Sequence, residues 1–207
     1  MFTPAGVDMR QNFYFWDSFF HGQMKIDYPE IGICGLSCRL CPMYHTRTKS
    51  RCFGCKSKAR MAVGCPFITC AIKRKGIEFC WTCEVDKNCE KWRKHREAGK
   101  RFDSFKCYQR LEDNIALVQK NGIKKFEKVQ KTRERLLKEM LQYFNEGRSK
   151  SYYCIAATIL EIEELENALH KAKKESRGLE IKERSKVLHS LIDEAAEKKG
   201  YRVKLRK

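Results

Sequence analysis

Ten of the twelve cysteines in this chain lie between Cys34 and Cys89, and so dense a run of thiols leaves few folds that do not tie the sulfurs to something. Two chemistries do this: a disulfide framework in an oxidising compartment, or metal ligation in a reducing one. The stretch Met1 to Met24 carries Asp8, Arg10 and Asp17 and lacks the ordered basic start, apolar middle and small-residue cleavage site of a secretory leader. Nor does any run approach the roughly 18 apolar residues of a membrane-spanning helix. The expectation is a cytoplasmic chain without a membrane segment, whose thiols stay reduced and bind metal.

The spacing supports ligation. C-G-L-S-C-R-L-C-P supplies Cys34, Cys38 and Cys41, and C-F-G-C supplies Cys52 and Cys55. Cys65 and Cys70 follow, then the C-W-T-C pair Cys80 and Cys83, then Cys89. Two residues between cysteines let one tight turn present both sulfurs to one ion, and a glycine such as Gly54 eases that turn. Two such pairs make a tetrahedral zinc site, and Cys38, Cys41, Cys52 and Cys55 have this arrangement. Cys80, Cys83 and Cys89, with Cys65 or Cys70, make a second candidate, while His45 and His95 are substitute ligands. A [4Fe–4S] cluster is the rival, because the Cys34-Cys38-Cys41 spacing and the Cys41-Pro42 and Cys65-Pro66 steps are also seen at clusters. Radical chemistry on such a cluster is not expected, since no alternation of strands and helices follows to build a parallel barrel. Cys107 and Cys154 read as small buried residues on helices.

The 207 residues suffice for one sizeable domain or two small ones. Residues 1–30 read as an aromatic-rich extension with Phe13, Tyr14, Phe15, Trp16, Phe19 and Phe20, and Met9 and Met24 are alternative starts. Residues 31–106 read as a cysteine-rich metal-ligated domain with little regular structure. Residues 107–207 read as a basic α-helical bundle or hairpin. Ile123, Phe126, Val129, Leu136, Leu137, Met140, Leu141 and Phe144 follow helical spacing up to Gly147. A second helix, capped by Ser149 or Ser151, takes Ile155, Ile159, Ile162, Leu165 and Leu169 as its stripe, and a third runs from about Leu179 to Lys199. A short alternating tail follows at Tyr201, Val203 and Leu205.

The formal net charge is +18, and residues 91–207 account for +13 of it. Such a field attracts polyanions, nucleic acid among them, although lysines alternating with glutamates on a solvated helix look the same. Arg148, Ser149, Lys150 and Ser151 sit where a helix begins and form a candidate anion site. No catalytic constellation is visible: there is no phosphate-binding glycine loop, no Ser/His/Asp arrangement and no spaced histidine pair.

C-G-L-S-C-R-L-C-P-M-Y from Cys34, C-F-G-C-K from Cys52, C-P-F-I-T-C-A-I-K-R-K-G from Cys65 and C-W-T-C from Cys80 through Cys89 resemble a cysteine-rich family. It is the domain-of-unknown-function family numbered 3795, found mainly in anaerobic bacteria and archaea. The resemblance covers about residues 31–95, and G-R-S-K-S-Y-Y-C-I-A-A-T from Gly147 is similar to longer members. Asn88 stands where proline is expected. The resemblance implies metal binding and no particular reaction. Three function classes follow: a zinc-stabilised binding module for an anionic or protein partner, an iron–sulfur redox or sensor protein, and an enzyme of unknown reaction.

Overall fold

The second half of the chain is helical, as its periodicity predicts, although it divides at a place the periodicity conceals. The computed structural model describes residues 25–63, 65–84, 89–101, 110–201 and 203. The aromatic cluster of the first 24 residues, Asn88, Cys107 and Leu205 lie outside that set. Helices α4 (Leu111–Asn121) and α5 (Ile123–Tyr143) meet at Gly122, and α5 buries Phe126, Leu136, Leu137 and Met140. It stops at Phe144, three residues before Gly147, where the Phe144 N–H still reaches the Met140 carbonyl at 3.0 Å.

The expected second helix is two helices, α6 (Lys150–Ile159) and α7 (Ile162–Glu175). Leu160 and Glu161 between them are extended, and Glu161 and Glu164 bond reciprocally to each other's backbone N–H in a capping box. Carbonyls left open at the end of α6 take the guanidinium of Arg133, which donates to Ala157 O at 2.8 Å and also to Leu160 O. In the sequence, an apolar stripe that continues through the break makes one helix of two. Helix α8 (Ile181–Glu197) matches expectation and lays Leu188, Ile192 and Ala196 into the core. Ser149 occupies the N-cap position of α6, but its side chain does not cap the helix.

The cysteine-rich stretch holds more regular structure than its sequence suggests. It contains α1 (Lys58–Val63), α2 (Pro66–Ile68) running on into a π turn, and the twelve-residue α3 (Glu90–Arg101). Helix α3 escapes a search for apolar periodicity because it buries Trp92 against Phe67, rings 5.2 Å apart, while charged pairs Lys94–Glu90 and Arg93–Glu97 line its outside. Among the described residues the sole β pairing is one bridge between Ile31 and Ser37.

Three apolar clusters hold the molecule together. The largest joins α5, α6, α7 and α8, and Leu40 from the cysteine-rich stretch is inserted into it. A second gathers Ile33, Phe67, Ile68, Ala71 and Trp92 with Leu111 and Ile115 of α4, and a third joins Ile31 and Phe79 to Phe126 of α5. The apolar residues scattered through the cysteine segment therefore do find burial, against walls supplied by α4, α5 and α6.

Candidate metal centre

Two of the C-x-x-C units fold into nearly the same turn. Cys38–Leu40 and Cys80–Thr82 are each one turn of 3-10 helix, closed by the N–H of the second cysteine on the carbonyl of the first, Cys41 to Cys38 at 3.0 Å and Cys83 to Cys80 at 3.1 Å. The closing cysteines share their backbone angles, φ −84° with ψ 132° at Cys41 and φ −84° with ψ 138° at Cys83. The third unit, Cys52 to Cys55, turns at Gly54 with φ 108°, and a side chain there would place its Cβ 3.2 Å from the Pro29 carbonyl oxygen. Only glycine takes that angle and that gap without strain.

The thiols fall into two neighbourhoods. In the first, the Cys55 N–H donates to Cys38 Sγ at 3.3 Å, and the two side chains also share a hydrogen bond. That contact is the main influence lowering the Cys55 pKa and raising that of Cys38. Lys56 and Arg60 add positive potential at Cys55, and Cys41 lies within electrostatic reach of Cys52 and Cys55. In the second neighbourhood Cys70, Cys80, Cys83 and Cys89 wall a cavity of about 20 Å³ together with Lys75 and Trp92. Burial pushes the Cys80 thiol up, and the nearby Cys34, Cys70, Cys89 and Cys83 push it further. Lys75 Nζ donates to Cys83 Sγ at 3.0 Å. Cys65 acts locally as the N-cap of α2, its sulfur accepting the Ile68 N–H at 3.3 Å ahead of Pro66 in the first turn.

Soft sulfur donors, backbone N–H groups aimed at sulfur and adjacent cations suit a thiolate-bound metal. The arrangement stops short of an assembled site. Among the described residues no three Cys, His, Asp or Glu side chains are placed to hold an ion between them. The described cysteines form no disulfides with one another. Of the two substitute ligands, His45 has its Nε2 2.5 Å from the Arg39 carbonyl oxygen, which occupies that nitrogen, and the His95 side chain lies outside the described residues. Cys154 is buried in the helical core, which raises its pKa to about 12, in keeping with a packing role.

Lys56 is a feature that sequence reasoning missed. Its ammonium is fully enclosed, 2.6 Å from Glu78 Oε1, 3.1 Å from the Tyr28 carbonyl oxygen and 3.9 Å above the Phe79 ring. Burial lowers its pKa, against the opposing pull of Glu78, Cys38 and Cys55. Its position next to Cys55 is the only forewarning, since no residue near it in sequence identifies Glu78 as the counter-ion.

The start of α6 is already served by a carboxylate of the chain itself. Glu146 accepts the Arg148 N–H at 3.2 Å, the Ser149 hydroxyl at 2.6 Å and the Ser185 hydroxyl at 2.8 Å. Arg148 is exposed, Ser151 is half-buried, and Lys150 reaches away to Thr46 Oγ1 at 3.0 Å. An internal anion thus stands where an external one was expected. The same network does bring together a serine, a histidine and a carboxylate, with His189 Nε2 2.8 Å from Ser149 Oγ. The serine donates its proton to Glu146, however, so the imidazole meets the oxygen as a donor and cannot serve as its base. The cluster joins the α5–α6 loop to α8. Among the described residues no helix is long and apolar enough to cross a membrane. Neither family models, nor curated proteins, nor solved structures match this chain.

Proposed function

We propose that this chain is a metal-stabilised binding module, with zinc as the metal, and that it belongs among the cysteine-rich proteins its sequence resembles. The observation that carries this reading is the hydrogen-bonded contact of Cys38 with Cys55, seventeen positions apart in the chain. It pairs one C-x-x-C turn with another, as a four-thiolate site requires. Cys38, Cys41, Cys52 and Cys55 would hold one ion; Cys80, Cys83 and Cys89 with Cys70 would hold a second. Zinc held by four thiolates supplies folding free energy and leaves no position for water or substrate. A binding role therefore suits the chain better than catalysis.

Metal and acid-labile sulfide analysis after oxygen-free purification tests the reading. Stoichiometric zinc without sulfide is the expected result, and Cys55→Ser is expected to release the ion of the first group while leaving the second. Iron with sulfide, accompanied by visible charge-transfer absorption, would replace zinc by a cluster. A chain that binds neither metal and closes its cysteines into disulfides would end the proposal.

A further inference from the structure

From Ile31 to Ile77 the chain contains no aspartate or glutamate and ten lysines and arginines. The fold divides those cations sharply. Arg39 and Lys56 are turned inward onto Glu134 and Glu78, whereas Arg47, Lys49, Arg51, Lys58 and Arg60 are exposed and have no carboxylate partner among the described residues. The helical half looks more basic by formal count, but many of its cations are compensated, as in Lys131–Glu127 at 3.0 Å, Lys138–Glu134 at 2.7 Å and Lys199–Glu164 at 3.3 Å. Unpaired lysines remain on the helices, Lys124, Lys125 and Lys128 among them, but glutamates are interspersed with them, whereas the stretch from Met43 to Arg60 carries its exposed cations with no carboxylate in the segment.

Aromatic surface is set among these cations. Phe53, at the tip of the Cys52–Cys55 turn, is 69% exposed and belongs to none of the three cores. The Cys52 N–H donates to the Met43 carbonyl at 3.0 Å, which sets Phe53 close to Met43, itself 49% exposed. The Arg51 guanidinium lies 5.5 Å from the Tyr44 ring centre and 5.7 Å from that of Phe53. A ring left in water on a rigid turn and surrounded by cations can stack on a nucleobase while the cations meet phosphates.

We propose that the loop from Met43 to Arg60 binds single-stranded nucleic acid, with Phe53 as the stacking platform and Arg47, Lys49, Arg51, Lys58 and Arg60 as phosphate contacts. A single strand is required because a duplex hides its base faces. An acidic peptide would use the charges and leave Phe53 without a partner. An anionic bilayer would need a larger apolar patch than Met43 and Phe53 provide. The proposal deepens the binding-module reading and rests on it in one respect, since Cys52 and Cys55 anchor the turn that carries Phe53.

The test uses the full chain and fluorescent twelve-nucleotide single strands of RNA and DNA, with affinity measured against salt and metal content measured on every sample. Phe53→Ala is expected to weaken binding about tenfold at fixed salt with an unchanged salt slope, and Phe53→Trp to restore it. The triple change Arg47→Ala, Lys49→Ala, Arg51→Ala is expected to flatten the log–log salt slope by about two. The matched triple Lys171→Ala, Lys174→Ala, Lys182→Ala on α7 and α8 is expected to change it little. Equal losses from both triples, indifference to Phe53, or tighter binding to phosphatidylserine vesicles or to polyglutamate than to the strands would overturn the proposal. Loop-dependent binding by a chain that carries no metal would sink the metal reading alone; bound metal without loop dependence would sink this proposal alone.

Discussion

Single side chains decide how this protein responds to charge and pH. Glu78 neutralises the ammonium of a fully buried lysine side chain, so Glu78→Ala is expected to cost about 3–5 kcal/mol, measured as a shift of the denaturation midpoint. Lys56→Met, which fills the space without a charge, should cost less. His189 binds its proton more weakly in the folded chain, because burial outweighs the attraction of Glu146 and Asp193. Its contribution is complete above the ordinary value of 6.5 and fades as pH falls below it. Glu146 follows in the same direction. Burial opposes its ionisation, but hydrogen bonds from Ser149, Ser185 and the Arg148 N–H together prevail and hold it below 4.5. Acid titration of the thermal midpoint should therefore show two descents, one below about pH 6.5 and one below about pH 4.5. His189→Gln should remove the first and Glu146→Gln should blunt the second. The thiols are visible in sequence because cysteine spacing is local. Lys56–Glu78 and the Glu146 network are not, because their partners are joined only by the tertiary fold.

At the level of elements, periodicity identifies α5 and α8 and fails where packing or capping, instead of an apolar stripe, sets the boundary. The junction of α6 and α7 is the clearest example. Arg133, which lies on α5, closes a helix that begins seventeen residues later in the chain, and no reading of α6 alone could have anticipated it. Arg133→Met is expected to leave the carbonyls of Ala157 and Leu160 unsatisfied and to cost roughly 2–4 kcal/mol. Glu161→Ala removes half of a capping box and the half-exposed carboxylate that pairs with Arg110 and Arg133, and should cost about 1–2 kcal/mol, less than the loss of Arg133 itself. The ranking of the two variants in chemical denaturation is the informative result. Helix α3 shows the converse failure, since one buried tryptophan and a charged face carry no period to find.

Across the whole molecule, the cysteine segment and the helices do not divide the work of stability as their compositions imply. The few patterned apolar residues of 31–106 argue that coordination must replace a core there, yet Ile31, Ile33, Leu40, Phe79 and Trp92 are all buried, several of them against α4, α5 or α6. If the chain holds metal as proposed, its removal is accordingly expected to open the loops around Met43 to Arg60 to proteolysis while α5 to α8 stay protected from hydrogen exchange. Loss of protection throughout would show that metal governs the entire fold. Leu40→Ala, a change in the cysteine segment, should instead weaken the helical core by about 2–5 kcal/mol. The sharing of walls has a further consequence during synthesis. Ile33 and Leu40 are translated well before Ile115 and Leu136, which join them in their apolar clusters. While the ribosome is still making α4 and α5, the ten thiols from Cys34 to Cys89 stand on a nascent chain with no finished core behind them. On the proposed metal reading, insertion of the ion before release and capture of those thiols by oxidants are then competitors in time, and the later-made helices set the length of that window.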